Sequence, residues 1–270
     1  MAAGILALSI VLLAAPAQPA PPEPARGTGE SCCDVVELRQ YTVRPGRRED
    51  LIELFDGTFA DPLDATGMTI IGQFRDLDRP DRFVWIRGFP TMEARPRQLA
   101  AFYDSDLWHA RRGDANALID DSDNVLLLEA ASPALSFRDI PPRTTHGADA
   151  SAGLVVVTLY YTQRNGLPQF GSYFEQTLRP RAERAGARTL AVYATSMQAN
   201  NFPRLAIRTG EQIFVWVTGF ASPGNYAAYQ ATLDADREWT QAIWPAVRAQ
   251  LTRDPEVLRL TPTPRSRLRE

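Results

Sequence analysis

Glu37, Arg39 and Arg87 are the residues of this chain whose types and spacing best suit chemistry. Glu37 and Arg39 stand two apart in Val36-Glu37-Leu38-Arg39-Gln40-Tyr41, a β-rich stretch, so both lie on one face of a strand. Arg87 lies in Phe83-Val84-Trp85-Ile86-Arg87-Gly88-Phe89. A carboxylate so placed could act as a base, and the guanidiniums could hold a carboxylate or stabilise an enolate. Alternation adds Tyr41, Gln73, Trp85 and Glu129 to the same face. Arg39, Tyr41, Gln73, Trp85 and Arg87 are the ligand-binding candidates, and Glu37 is the catalytic candidate. Charges inside a protein are costly unless paired. The set therefore forms either an internal ion-pair network or a pocket for a small anionic or aromatic molecule.

Composition narrows the chemistry. The 270 residues carry a net charge of −3, and no basic stripe tracks phosphates, which argues against nucleic acid as a partner. There is no lysine, which excludes Schiff-base chemistry and a P-loop lysine. No nucleophile elbow, glycine-rich phosphate loop or paired-carboxylate motif is present, and no metal site is expected. Cys32 and Cys33 are adjacent, a spacing that rarely closes a disulfide. A run over 5–15 is apolar and too short for a transmembrane helix. With Ala15-Pro16-Ala17 it reads as a signal peptide, so the protein is expected to be periplasmic or secreted, and cytoplasmic otherwise.

The elements that must position the candidates follow from periodicity. Strands are expected over 35–42, 69–75, 83–89 and 125–129. Between the first two, Leu51, Leu54, Phe55, Phe59 and Leu63 form a helical stripe. Gly67 stops that helix, and Pro62 should kink it or end its regular part. Thr91 can cap a helix through Leu99, Phe102 and Tyr103, and a second helical piece runs over 107–119. The order is βαββαβ, a ferredoxin-like module over 34–131.

The phrase at 83–89 returns as Phe214-Val215-Trp216-Val217-Thr218-Gly219-Phe220, at an offset of 131 (214 − 83). Trp239 repeats Trp108 and Ser222 repeats Thr91 at the same offset. Gly186 repeats Gly67 at 119 (186 − 67), so the second copy carries a 12-residue insertion (131 − 119) around 196–211, a candidate flap. The expected organisation is a leader over 1–33, a first module over 34–131, a linker over 132–152, a second module over 153–262 and a solvated tail over 263–270. The fold class is α+β: tandem ferredoxin-like modules bury their open sheet faces together as a pseudo-dimeric α/β barrel. If Val36, Leu38, Val84 and Ile86 face the helices, the Glu37 set faces the barrel interior.

The stretch Val36–Tyr41, the Pro45-Gly46 turn, the phrase at 83–89, Ala101-Phe102-Tyr103, Trp108 and Asp121–Leu127 resemble the NIPSNAP family. The resemblance covers about residues 34–130; in the second module it rests on the third strand and Trp239. It implies the dimeric α/β-barrel fold and no defined catalytic residues. The leading expectation is thus a protein that binds a small molecule in the barrel interior. The alternatives are a cofactor-independent monooxygenase or isomerase with Glu37 as base, and an assembly module pairing through its outer strands as a homo-oligomer. Because the barrel superfamily includes haem-binding members, His109 is an axial-ligand candidate; otherwise no cofactor is expected. Trp108 and Trp239 read as core packing.

Overall fold

The computed structural model describes residue 1 and residues 32–138, 140–143 and 153–270. The expected leader, His146 and most of the linker lie outside the described residues. In the first module, β1 (Val35–Val43) pairs with β3 (Arg82–Phe89) and with β5 (Val125–Ala130), and β3 pairs with β2 (Thr69–Asp76). In the second, β6 (Leu154–Tyr161) pairs with β8 (Ile213–Phe220) and β9 (Glu256–Pro262), and β8 pairs with β7 (Arg188–Thr195). The sheets join where β5 meets β7 and where β2 meets β9. All these pairings are antiparallel, and together they close an eight-stranded barrel. A short β4 (Ile119–Asp121) extends the end of β1, where the sequence suggested helix and turn.

The helices lie outside the barrel. Those of the first module are α1 (Arg48–Leu54) and α2 (Ala60–Ala65), joined by a π turn at Phe55–Phe59, then α3 (Ala94–Tyr103) and α4 (Asp106–Asn116). The second module has α5 (Leu167–Tyr173) and α6 (Arg179–Arg184) around a π turn at Phe174–Leu178. Its α7 (Pro223–Ala235) is followed by a third π turn, Trp239–Ile243, and α8 (Trp244–Arg248). Pro62 therefore does not end the helix. Pro62, Pro180 and Pro245 each follow a π turn by two or three residues. The widened turn, with Ala60 N–H donating to Phe55 O, shifts the ladder that a proline would otherwise break. Gly67 and Gly186 end their helices at φ +93° and +113°, where a side chain would be strained.

The barrel interior is apolar, and both modules fill it. Val36, Leu38, Val84 and Ile86 pack there against Val155, Val157, Val215 and Val217. This reverses the expected faces: those four residues point inward, and Glu37, Arg39, Tyr41, Trp85 and Arg87 lie under the helices. The physical reason is partners. An eight-stranded barrel is just wide enough to be filled by side chains. Only the helix side offers hydrogen-bonding groups to the charged residues.

Two further expectations are corrected. Cys32 and Cys33 form a disulfide. Cys33 is buried against Gly88, the residue whose lack of a side chain makes room for it. A Cβ at Gly88 would collide with the Cys33 sulfur, so Gly88→Ala is expected to cost about 1–3 kcal/mol by overpacking. Chemical denaturation of G88A, C33A and the double variant checks this: strictly additive losses would refute the contact. The tail is not solvated. Thr263 and Ser266 are buried, Arg265 binds Asp61 and the Asp56 carbonyl, and Arg267 binds Asp64. The acidic residues on and beside α2 supply the partners that the composition of the tail alone did not reveal.

Candidate functional site

In the first module the candidates meet in one buried cluster. Glu37 on β1 accepts from Arg39 Nη1 at 2.5 Å, from Arg87 Nη2 at 2.7 Å and, through its other oxygen, from Arg95 Nε at 2.8 Å. Glu37, Arg87 and Arg95 are 0% exposed and Arg39 is 1% exposed. Arg39 Nε donates to Tyr41 Oη, and Arg87 Nη1 to Tyr103 Oη. The Arg39 and Arg87 guanidiniums lie over the Trp85 ring at 5.5 and 5.1 Å, geometries that favour cation–π attraction. Burial alone would raise the Glu37 carboxyl. The guanidiniums of Arg87, Arg39 and Arg95 outweigh it and hold the carboxyl far below the usual carboxylate range. A group locked in its ionised form cannot exchange a proton near neutral pH, so the geometry opposes Glu37 as a general base. Burial also pushes the Tyr41 phenol up, so it brings no negative charge to the cluster.

Two candidates fall elsewhere. Gln73 Nε2 donates to Asp56, whose carboxyl burial pushes up against the hydrogen bonds of Thr263 and Gln73. Glu129 sits at the barrel rim and accepts from Ser196 and Gln198 at the base of the insertion. His109 is exposed on α4 and lines neither of the two cavities described below.

Sequence reasoning missed Arg95, Tyr103, Asn200 and Asn201. Arg95 was legible: with Leu99 and Phe102 it falls on the i, i+4, i+7 stripe of α3 that faces the core. The asparagines come from the flap. Residues 196–211 cross onto the first module, and both Asn200 Oδ1 and Asn201 Oδ1 accept from Arg95 Nη1, at 3.1 and 2.7 Å. Phe202 enters the first module's core with its ring 6.2 Å from that of Tyr103.

The second module has no such cluster. The strand registers place Val156 where Glu37 stands, Thr158 at Arg39 and Thr218 at Arg87. The helix offset of 131 places Tyr226 at Arg95 (226 − 95). Without the long charged side chains a cavity of about 540 Å³ opens between sheet and helices. Its walls include Tyr160, Trp216, Tyr226, Tyr229, Trp239 and Trp244. Trp239 and Trp244 stack at 6.0 Å, so Trp239 walls a cavity rather than only packing the core. Burial raises the phenols of Tyr160, Tyr226 and Tyr229, which remain neutral donors. A second, more polar cleft of about 780 Å³ lies beside the flap, near Arg164, Arg208 and Arg253. No helix among the described residues is long and apolar enough to cross a membrane.

No curated protein matches the chain. Among solved structures, an anthrone oxidase-like protein aligns over 85% of this chain and 91% of its own, at 14% identity and a TM-score of 0.55. A proposed monooxygenase from Lactobacillus acidophilus NCFM aligns over 84% and 93%, at 10% identity and a TM-score of 0.52. A NIPSNAP family protein from Agrobacterium tumefaciens strain C58 aligns over 45% of this chain and 95% of its own, at 16% identity and a TM-score of 0.34. The first two similarities establish the ferredoxin-like barrel fold. The NIPSNAP family model matches residues 36–133, the module that carries the Glu37 cluster. It is thus the first module of this chain, and not the second, that the NIPSNAP family model matches.

Proposed function

We propose that the protein binds a small aromatic molecule bearing a hydrogen-bond acceptor, in the cavity between the sheet and helices of the second module. The observation that carries this reading is the cavity itself, of a volume typical of ligand sites and walled by three tyrosines and three tryptophans. Aromatic walls stack on flat rings, and phenol hydroxyls orient a carbonyl. Tyr160, Tyr226 and Tyr229 line the cavity with phenols that burial keeps protonated, which offers hydroxyl donors to a ligand. The ligand thus belongs outside the barrel interior, which apolar side chains fill. The solved structures named for oxidation chemistry share this fold, but in this chain Glu37 lies locked in ion pairs, so the reading is one of binding.

The test uses 9-fluorenone, with fluorene as the analogue lacking the carbonyl, read by quenching of tryptophan fluorescence. Fluorenone is expected to bind more tightly by about fivefold, the worth of one net hydrogen bond near 1 kcal/mol. Thr158→Trp, at a half-buried wall position, is expected to weaken binding at least about tenfold while circular dichroism stays unchanged. Equal binding to T158W and wild type would sink the reading.

A further inference from the structure

We propose that the first module holds a second binding site, for a small aromatic carboxylate, and that the flap tip Asn200-Asn201-Phe202 fills it as a built-in stand-in for that ligand.

The position comes first. By strand register and helix offset, Glu37, Arg39, Trp85, Arg87, Arg95 and Trp108 occupy the places that wall the open cavity of the second module. The two modules thus have equivalent places between sheet and helices: the second is open, and the first is filled by these side chains and closed over by the insertion. Between β2 and β3 the first module has only the turn Leu77–Asp81, whereas the second has the long connection between β7 and β8. The long connection reaches the opposite module, and the short turn provides no equivalent cover for the second cavity.

The charge comes next. Arg39, Arg87 and Arg95 share the single carboxylate of Glu37, and among the described residues they pair with no other. Three guanidiniums against one carboxylate leave two positive charges uncompensated in a fully buried cluster. Such a surplus is costly, and an anion relieves it.

The tip itself supplies the ligand's outline. Two amide oxygens converge on one nitrogen of Arg95, as the two oxygens of a carboxylate would, though with only partial negative charge. The Phe202 ring lies beside Tyr103, where a ligand's ring would lie. The tip also holds its own shape: Phe202 N–H donates to Asn200 Oδ1, and Asn200 Nδ2 to Leu205 O. Its ends are anchored by Ser196 N–H to Leu127 O and Arg208 N–H to Val125 O, and between them Asn201 Nδ2 donates to Met92 O and Arg204 Nη1 to Asp104, so a ligand that displaces the tip breaks these inner bonds while the ends stay attached. A ligand with a full charge would compete with the tip for Arg95.

The full chain is titrated calorimetrically with phenylacetate and with its uncharged analogue 2-phenylethanol. Phe202→Ala, which empties the ring position, is expected to bind phenylacetate at least about tenfold more tightly than wild type, with no gain for the alcohol. Adding Arg95→Gln to F202A is expected to abolish the gain; Arg95 does not line the second module's cavity, so binding there is expected to stay unchanged. A folded F202A with no gain, or with equal gains for acid and alcohol, overturns the proposal. If F202A does not fold, wild type decides. Millimolar phenylacetate should speed tryptic cleavage after Arg204 by about threefold or more, because a displaced flap opens locally; an unchanged rate overturns the proposal.

Discussion

Glu37→Gln is expected to destabilise the protein by about 3–5 kcal/mol, because it leaves three buried guanidiniums without their only carboxylate. Gln keeps the shape, so the loss reports charge and not packing. In a unit of this size the melting temperature should fall by on the order of 10 °C. The effect has a defined pH dependence. The Glu37 carboxyl is held far below its ordinary value in the folded protein, so its contribution is fully present above the carboxylate range of the unfolded chain. It fades progressively as pH falls from that range toward the folded value. Wild type and E37Q should therefore differ by a constant amount above about pH 5 and converge in strong acid. Denaturant titrations at several pH values check this. A penalty below about 1 kcal/mol at pH 7 would mean that the cluster is not the electrostatic centre of the module.

Ending the chain after Pro262 is the second large effect. The cut removes Thr263 and Arg265, which hydrogen-bond Asp56, and Arg267, which pairs with Asp64. Asp56 would then be buried with Gln73 as its remaining side-chain donor. Each buried polar group left unsatisfied costs about 1–3 kcal/mol, so a total of about 3 kcal/mol or more is expected. The measurement is the unfolding midpoint of the truncated chain. A midpoint equal to that of the full chain would restore the solvated-tail reading.

Much of the architecture was legible. The glycine stops, the strand order and the repeated phrase are local signals, and the strands expected over 69–75 and 83–89 lie within a residue of their observed bounds. The faces were not legible from alternation, because a period of two separates the sides of a strand without saying which side meets the helices. Val36 and Val84 suit either side. What decides is the supply of partners for Glu37 and Arg87, and these come from Arg95 on a later helix and, beyond it, from a flap 105 residues further on. The repeated phrase carries Thr218 where its first copy has Arg87, and the strand register adds Val156 at the place of Glu37; the module without these charges is the one with the open cavity.

Closure of the barrel also constrains how the protein can associate with others. A sheet grows by adding a strand to a row of unpaired N–H and C=O groups. Here the strands that would have been outermost, β2 and β5, are each joined to the other module by β9 and β7. Among the described residues only β4 remains at a margin; it is three residues long, and Asp120 and Asp121 on it are exposed. Short, acidic margins repel incoming strands. Among the described residues, a partner that recognises targets by strand addition finds no template on the barrel strands, and the surface open to association there is the helical coat and the loops.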